Sequence, residues 1–282
     1  MAILFLFASS AAAAQEPKPA AATPAPELDA GFHLLYELKF PEAREQFTAW
    51  KELHLEQPLG DVSIAASYLF EEFYRQGVLT SEYFLNDKKL LRGIEGKPDE
   101  ARKKGFQEAN RRARETALGR LKADANDADA LFALTLVAGM QANYLSVLER
   151  RQLDSLKLIK EADAYAKRLL AVRPDAADAW LALGAANYII GCLPGTTRFF
   201  LWFGGIHGDR NLGMEQLRKT VEHGHYLRPY AKIMLALAAR REKQNDLAQR
   251  LLSELTAEFP GSPLYAAELA RVMPQMHANP HN

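Results

Sequence analysis

Small residues, leucines and a proline recur in this chain at a fixed spacing, and that recurrence narrows the folds open to it more than any other feature. The series Ala162-x3-Ala166-x2-Leu169-x4-Pro174 returns 86 residues later as Ala248-x3-Leu252-x2-Leu255-x4-Pro260. Leu183-Gly184 returns at the same offset as Leu269-Ala270, and Leu235-Ala236 stands 34 residues before that pair. A period of this size marks one supersecondary unit that buries its apolar side only by stacking on copies of itself. Small residues at i and i+4 let a second helix approach closely. The proline helps to end the second helix of each unit. Ser262-Pro263 then reads as an N-cap followed by proline at the first helical position.

Weaker copies extend the series. Ala128 to Leu134 parallels Ala177 to Leu183 at an offset of 49, and Leu38-x-Phe40-Pro41-Glu42-Ala43-x3-Phe47 resembles the turn and second helix of another unit. Val62 to Gln76 and Ala101 to Lys122 read as further helices, with Gly77, Gly93, Gly96 and Pro98 between them. No alternating apolar pattern runs beyond a few residues. Trp180-x2-Leu183-Gly184, the Ala-rich second helix and the proline together resemble the tetratricopeptide repeat. That resemblance implies an all-α fold, a right-handed TPR-like solenoid of antiparallel helix pairs. Asn187 stands where the repeat often carries an aromatic. The 49-residue spacing predicts two lengthened helices, about 131–148 and 152–171, and the next interval holds an insertion over 191–213.

In that insertion Gly191-Cys192-Leu193-Pro194-Gly195 interrupts a helix begun at Asp178. Phe199-Phe200-Leu201-Trp202-Phe203-Gly204-Gly205 follows, then Gly208-Asp209-Arg210-Asn211-Leu212-Gly213. Asp209 can cap the next helix and Gly213 can permit close packing. The order of these elements resembles a segment of the Iml2 and tetratricopeptide-39 group of repeat proteins, over about 130–260. The resemblance implies a helical repeat scaffold and no particular chemistry. For the aromatic run the expected state is burial against the protein's own surface. An exposed patch of Phe199, Phe200, Trp202 and Phe203 would instead mark a partner site or a shallow membrane contact.

Residues 2–8 (AILFLFA) followed by Ala12-Ala13-Ala14-Gln15 match the apolar core and cleavage site of a secretory signal, with the cut after Ala14, although the usual basic start is missing. The run is too short to span a bilayer. Residues 15–27 are rich in Pro and Ala and read as an extended tether. The repeat domain is expected over 28–274, with a loose tail at 275–282. The chain is thus expected in the periplasm or outside the cell.

Lys plus Arg and Asp plus Glu are 35 each, so no basic excess suits nucleic acid. Cys192, the one cysteine, excludes an intramolecular disulfide and reads as a small buried residue. His223-Gly224-His225 reads as a helix end, with no third metal ligand in view, and His277 and His281 as part of the tail. His207 beside Asp209 reads as a capped turn. Glu71 and Glu72 are adjacent on a helix and should point to different sides. No nucleophile, metal or phosphate-loop motif is present, so the expectation is a non-catalytic protein without cofactor or metal.

Binding is the remaining role. On the repeat register the inner face carries Phe132, Leu136 and Met140, then Leu181, Ala185 and Tyr188, then Tyr230, Ile233, Leu237, Arg240 and Arg241. An apolar groove with a basic end would hold a helix or extended peptide of a protein partner in the cell envelope. The alternative is a lipid-handling or peripheral membrane protein that uses Phe199 to Phe203.

Overall fold

The structure is a computed structural model and describes residues 26–277, so the expected signal segment and most of the tether lie outside the described residues. Fourteen helices make up the described part: α1 (Pro26–Tyr36), α2 (Phe40–Leu53), α3 (Leu59–Arg75), the short α4 (Ser81–Phe84) and α5 (Asp87–Arg92), α6 (Glu100–Ala123), α7 (Ala128–Asn143), α8 (Gln152–Val172), α9 (Ala179–Cys192), α10 (Gly195–Phe203), α11 (Arg210–His223), α12 (Arg228–Arg241), α13 (Asn245–Glu258) and α14 (Pro263–His277). A π turn, Tyr144–Leu148, prolongs α7. No strand occurs among the described residues. Pro26 and Glu27, expected in the tether, already belong to α1, and α14 continues to His277. The lengthened pair expected near 131–148 and 152–171 is α7 with its π turn and α8.

Caps fix several helix starts. Asp99, Asp127 and Asp209 accept backbone N–H groups from Arg102, Ala130 and Leu212, each three residues on. Ser262 departs from expectation. It precedes α14, but its hydroxyl is buried without a hydrogen-bond partner.

Neighbouring helices pack in antiparallel pairs. Tyr68 and Asp61 of α3 meet Gly105 and Arg112 of α6. Phe106 of α6 stacks on Tyr144 at 4.8 Å, while Asn110 donates to Val137 O of α7. Lys232 of α12 bridges Glu254 and Glu258 of α13. Glycines bring α9 and α11 close together. A Cβ on Gly213 would lie 2.5 Å from the backbone nitrogen of Tyr188, and one on Gly184 would lie 2.9 Å from that of Leu217. Backbone cannot yield as a side chain can, so this pair requires glycine on both helices.

The turns of the first and last complete pairs are alike. Leu38 and Lys243 are both left-handed, at φ 65° and 59°. Lys39 N donates to Leu34 O and Gln244 N to Ala239 O, the same six-residue closure at the end of α1 and of α12. Ala43 and Ala248 follow at equivalent places, both fully buried.

The main core runs through the stack, from Leu28, Phe32 and Leu35 to Leu255, Tyr265 and Val272, and a smaller cluster of Leu131, Ala166, Leu169, Ala179 and Leu183 joins α7, α8 and α9. Each large side chain fully buried there contributes about 1.5–3 kcal/mol. The segment Ala128–Leu148 is long and apolar enough to cross a membrane, with mean hydropathy 1.5, yet Leu131, Leu134 and Val137 on it are core residues.

Candidate functional site

The helices before Gly93 lie across the face expected to be open. Tyr188 of α9 is fully buried and stacks on Phe84 of α4 with centroids 6.3 Å apart. Its hydroxyl faces Glu242 at 3.2 Å and Ala238 O at 3.3 Å. Tyr230 meets Phe70 of α3 edge to face at 5.0 Å. Leu181, Ile233, Leu237 and Met140 are buried, while Phe132, Leu136 and Ala185 are half-buried against the same core.

The expected basic end is likewise internal. Arg240 bonds Ser81 Oγ and pairs with Glu268 at 3.3 Å, both charged side chains being almost wholly buried. Burial pulls the Arg240 guanidinium below its ordinary pKa, and Glu268 opposes that shift. Arg241 donates to Phe84 O at 3.2 Å and pairs with Asp87.

These positions therefore do not line an open peptide groove. The apolar excess on the inner helices is covered by the chain's own α3, α4 and α5. What is left is a cleft of about 70 Å³ between Phe73, Tyr83 and Phe84 on one side and Ile189, Tyr230 and Ile233 on the other. That is space for a few water molecules, not for a helix. Burial pushes the Tyr83 hydroxyl at its edge up to about 12.

Other candidates resolve into structure. Arg102 holds both adjacent carboxylates, Nη1 to Glu71 at 3.2 Å and Nε to Glu72 at 3.0 Å, so the two do not point apart as expected. Asp178 accepts the backbone N–H groups of His225, Tyr226 and Leu227 at the entrance to α12. Burial raises its pKa while those N–H groups oppose the rise. A Cβ on Gly224 would lie 2.6 Å from that carboxylate, which accounts for the glycine between the histidines. His225 faces Asp29 of α1 at 2.7 Å, which the sequence pattern did not suggest. Cys192 is half-buried, and desolvation raises its thiol pKa. Among the described residues no three His, Cys, Asp or Glu side chains are grouped as a metal set.

The aromatic insertion behaves contrary to expectation. It forms α10, none of whose residues is buried. Phe199, Phe200, Trp202 and Phe203 are 57%, 74%, 56% and 68% exposed. Their rings pack on each other, Phe199 on Phe203 at 4.9 Å and Trp202 on Phe203 at 5.1 Å. Leu201 and Thr197 are half-buried, and Ile206 just beyond the helix is buried and donates its N–H to Leu201 O. Four aromatics and one inward leucine on nine residues leave an arc of rings without cover among the described residues. Lys160 of α8 donates to Gly204 O at the helix end, where a cation also suits the dipole.

The fold and this surface define an all-α protein of stacked antiparallel helix pairs with one uncovered aromatic helix. Comparison with protein-family models and with curated proteins finds no match.

Proposed function

We propose that this is a non-catalytic helical-repeat protein of the cell envelope that works by binding, through the aromatic ridge of α10 rather than along its inner face. The observation that carries the reading is the exposure of four large aromatic rings side by side on one short helix, whereas exposed apolar side chains such as Leu53, Leu153 and Met273 are aliphatic and lie on other helices. Uncovered aromatic clusters of this kind mark contact surfaces. The TPR-like right-handed superhelix remains our reading of the architecture. It is supported by the 34-residue spacing, by the glycine crossing of α9 on α11 and by the matching turns at Leu38 and Lys243. Export is supported by the sequence of residues 2–15 alone.

A photo-crosslinking side chain placed at Phe200 in cells tests the reading. A defined adduct, protein or lipid, absent when the probe sits at exposed Glu108 of α6, is the expected result. No adduct at Phe200 beyond the Glu108 background would overturn it.

A further inference from the structure

We infer that α10 is an interfacial helix that lays its aromatic ridge into the surface of an anionic lipid bilayer; this rests on α10 being the contact surface. Its shape is the first argument. Phe199, Phe200, Trp202 and Phe203 spread over nearly half the helix circumference and stand out as a convex ridge. A folded protein partner would need a matching trough, whereas the acyl boundary of a bilayer accepts a wedge of any outline. Trp and Phe are also the side chains that interfacial helices bury at the boundary of headgroups and acyl chains.

Charge is the second argument. No acidic residue occurs between Ala179 and Gly208, while Arg198 lies on α10 itself. Lys160 reaches its C-terminal end, and Lys157 and the 83% exposed Leu153 lie one and two turns back along the same exposed stripe of α8. Among the described residues none of Lys157, Lys160 and Arg198 forms an ion pair. An apolar ridge collared by unpaired cations fits a negatively charged surface. At nine residues α10 is about 14 Å long, too short to span and suited to lying in the interface.

The test is flotation of the purified mature chain with vesicles of phosphatidylcholine alone or with one third phosphatidylglycerol. The expected result is partition onto anionic vesicles about tenfold or more above neutral ones, with high salt removing the difference. Phe200→Ser with Phe203→Ser should lower partition on both vesicle types by about tenfold or more. Lys157→Glu with Arg198→Glu should remove mainly the anionic preference. All four side chains are exposed, so circular dichroism should show the variants folded. Absence of partition, or partition indifferent to the Phe pair, overturns the inference. A protein adduct at Phe200 without flotation would sink the bilayer alone and leave the binding reading standing; neither signal would sink both.

Discussion

The buried hydroxyl of Tyr265 on α14 donates its proton to the backbone carbonyl of Tyr36 at the end of α1, over 3.0 Å. The Tyr36 hydroxyl in turn donates to Tyr226 O at 2.9 Å, and Phe32 stacks on Tyr226 at 4.8 Å. The first helix is thus clasped between the entrance to α12 and the last helix. This clasp brings the early helices over the inner face and removes the groove that the repeat register implied.

Tyr265→Phe keeps the ring packing and leaves the Tyr36 carbonyl without its donor. A loss of about 1–3 kcal/mol is expected from urea unfolding monitored by circular dichroism. Phe200→Ser, which touches only the exposed ridge, should stay within about 0.5 kcal/mol of the parent.

Two glycines should respond oppositely to the same change. Gly213→Ala drives a methyl into the Tyr188 backbone and should destabilise by about 1–3 kcal/mol or more. A Cβ at Gly119 on α6 meets nothing within 4 Å, so Gly119→Ala should stabilise by up to about 1 kcal/mol. Thermal melts of the two variants side by side check both signs.

Lys243 is held left-handed, at φ 59°, in the turn after α12. Lys243→Gly relieves a backbone cost of about 1–2 kcal/mol at some expense in unfolded-chain entropy. The net expectation is a small rise in melting temperature. An unchanged or lower value would show that the lysine stem contributes packing of similar size.

Glu72 is 2% exposed and accepts hydrogen bonds from Arg75, Gln76 and Arg102. Burial acts to raise its pKa, but these donors prevail and hold it below the ordinary carboxylate value. A lowered folded-state value means that its stabilisation is complete above the unfolded-state pKa and is lost as pH falls through the lowered one. Glu72→Gln should cost about 1–3 kcal/mol at neutral pH, because the buried side chain loses its charged acceptor while the partly exposed Arg75 and Arg102 keep solvent and, for Arg102, Glu71. The gap in urea midpoint between parent and variant should narrow as the pH is taken from 7 down through the acid range.

Much of the local structure was legible before any coordinates. The spacing of Ala162, Ala166 and Leu169 places α8, Asp209 marks the cap of α11, and Gly213 marks a close-packing position. Each depends on neighbours within a few turns of the same chain segment, and periodicity reports those directly. Ser262 does not cap α14, because a capping residue type does not guarantee capping geometry.

The sequence by itself determined that this chain forms helices with apolar faces needing cover, and where several of them, α3, α6, α7 and α8 among them, begin and end. Only the tertiary structure decided what covers each face: α3 to α5 lie over Tyr188, Tyr230 and Ile233, whereas none of the described residues covers Phe199, Phe200, Trp202 and Phe203. The physical reason is that hydrophobic attraction has no direction. An apolar stripe states that burial is favourable without naming its partner, and the contacts that name it, such as Tyr265 with Tyr36, join residues from opposite ends of the chain.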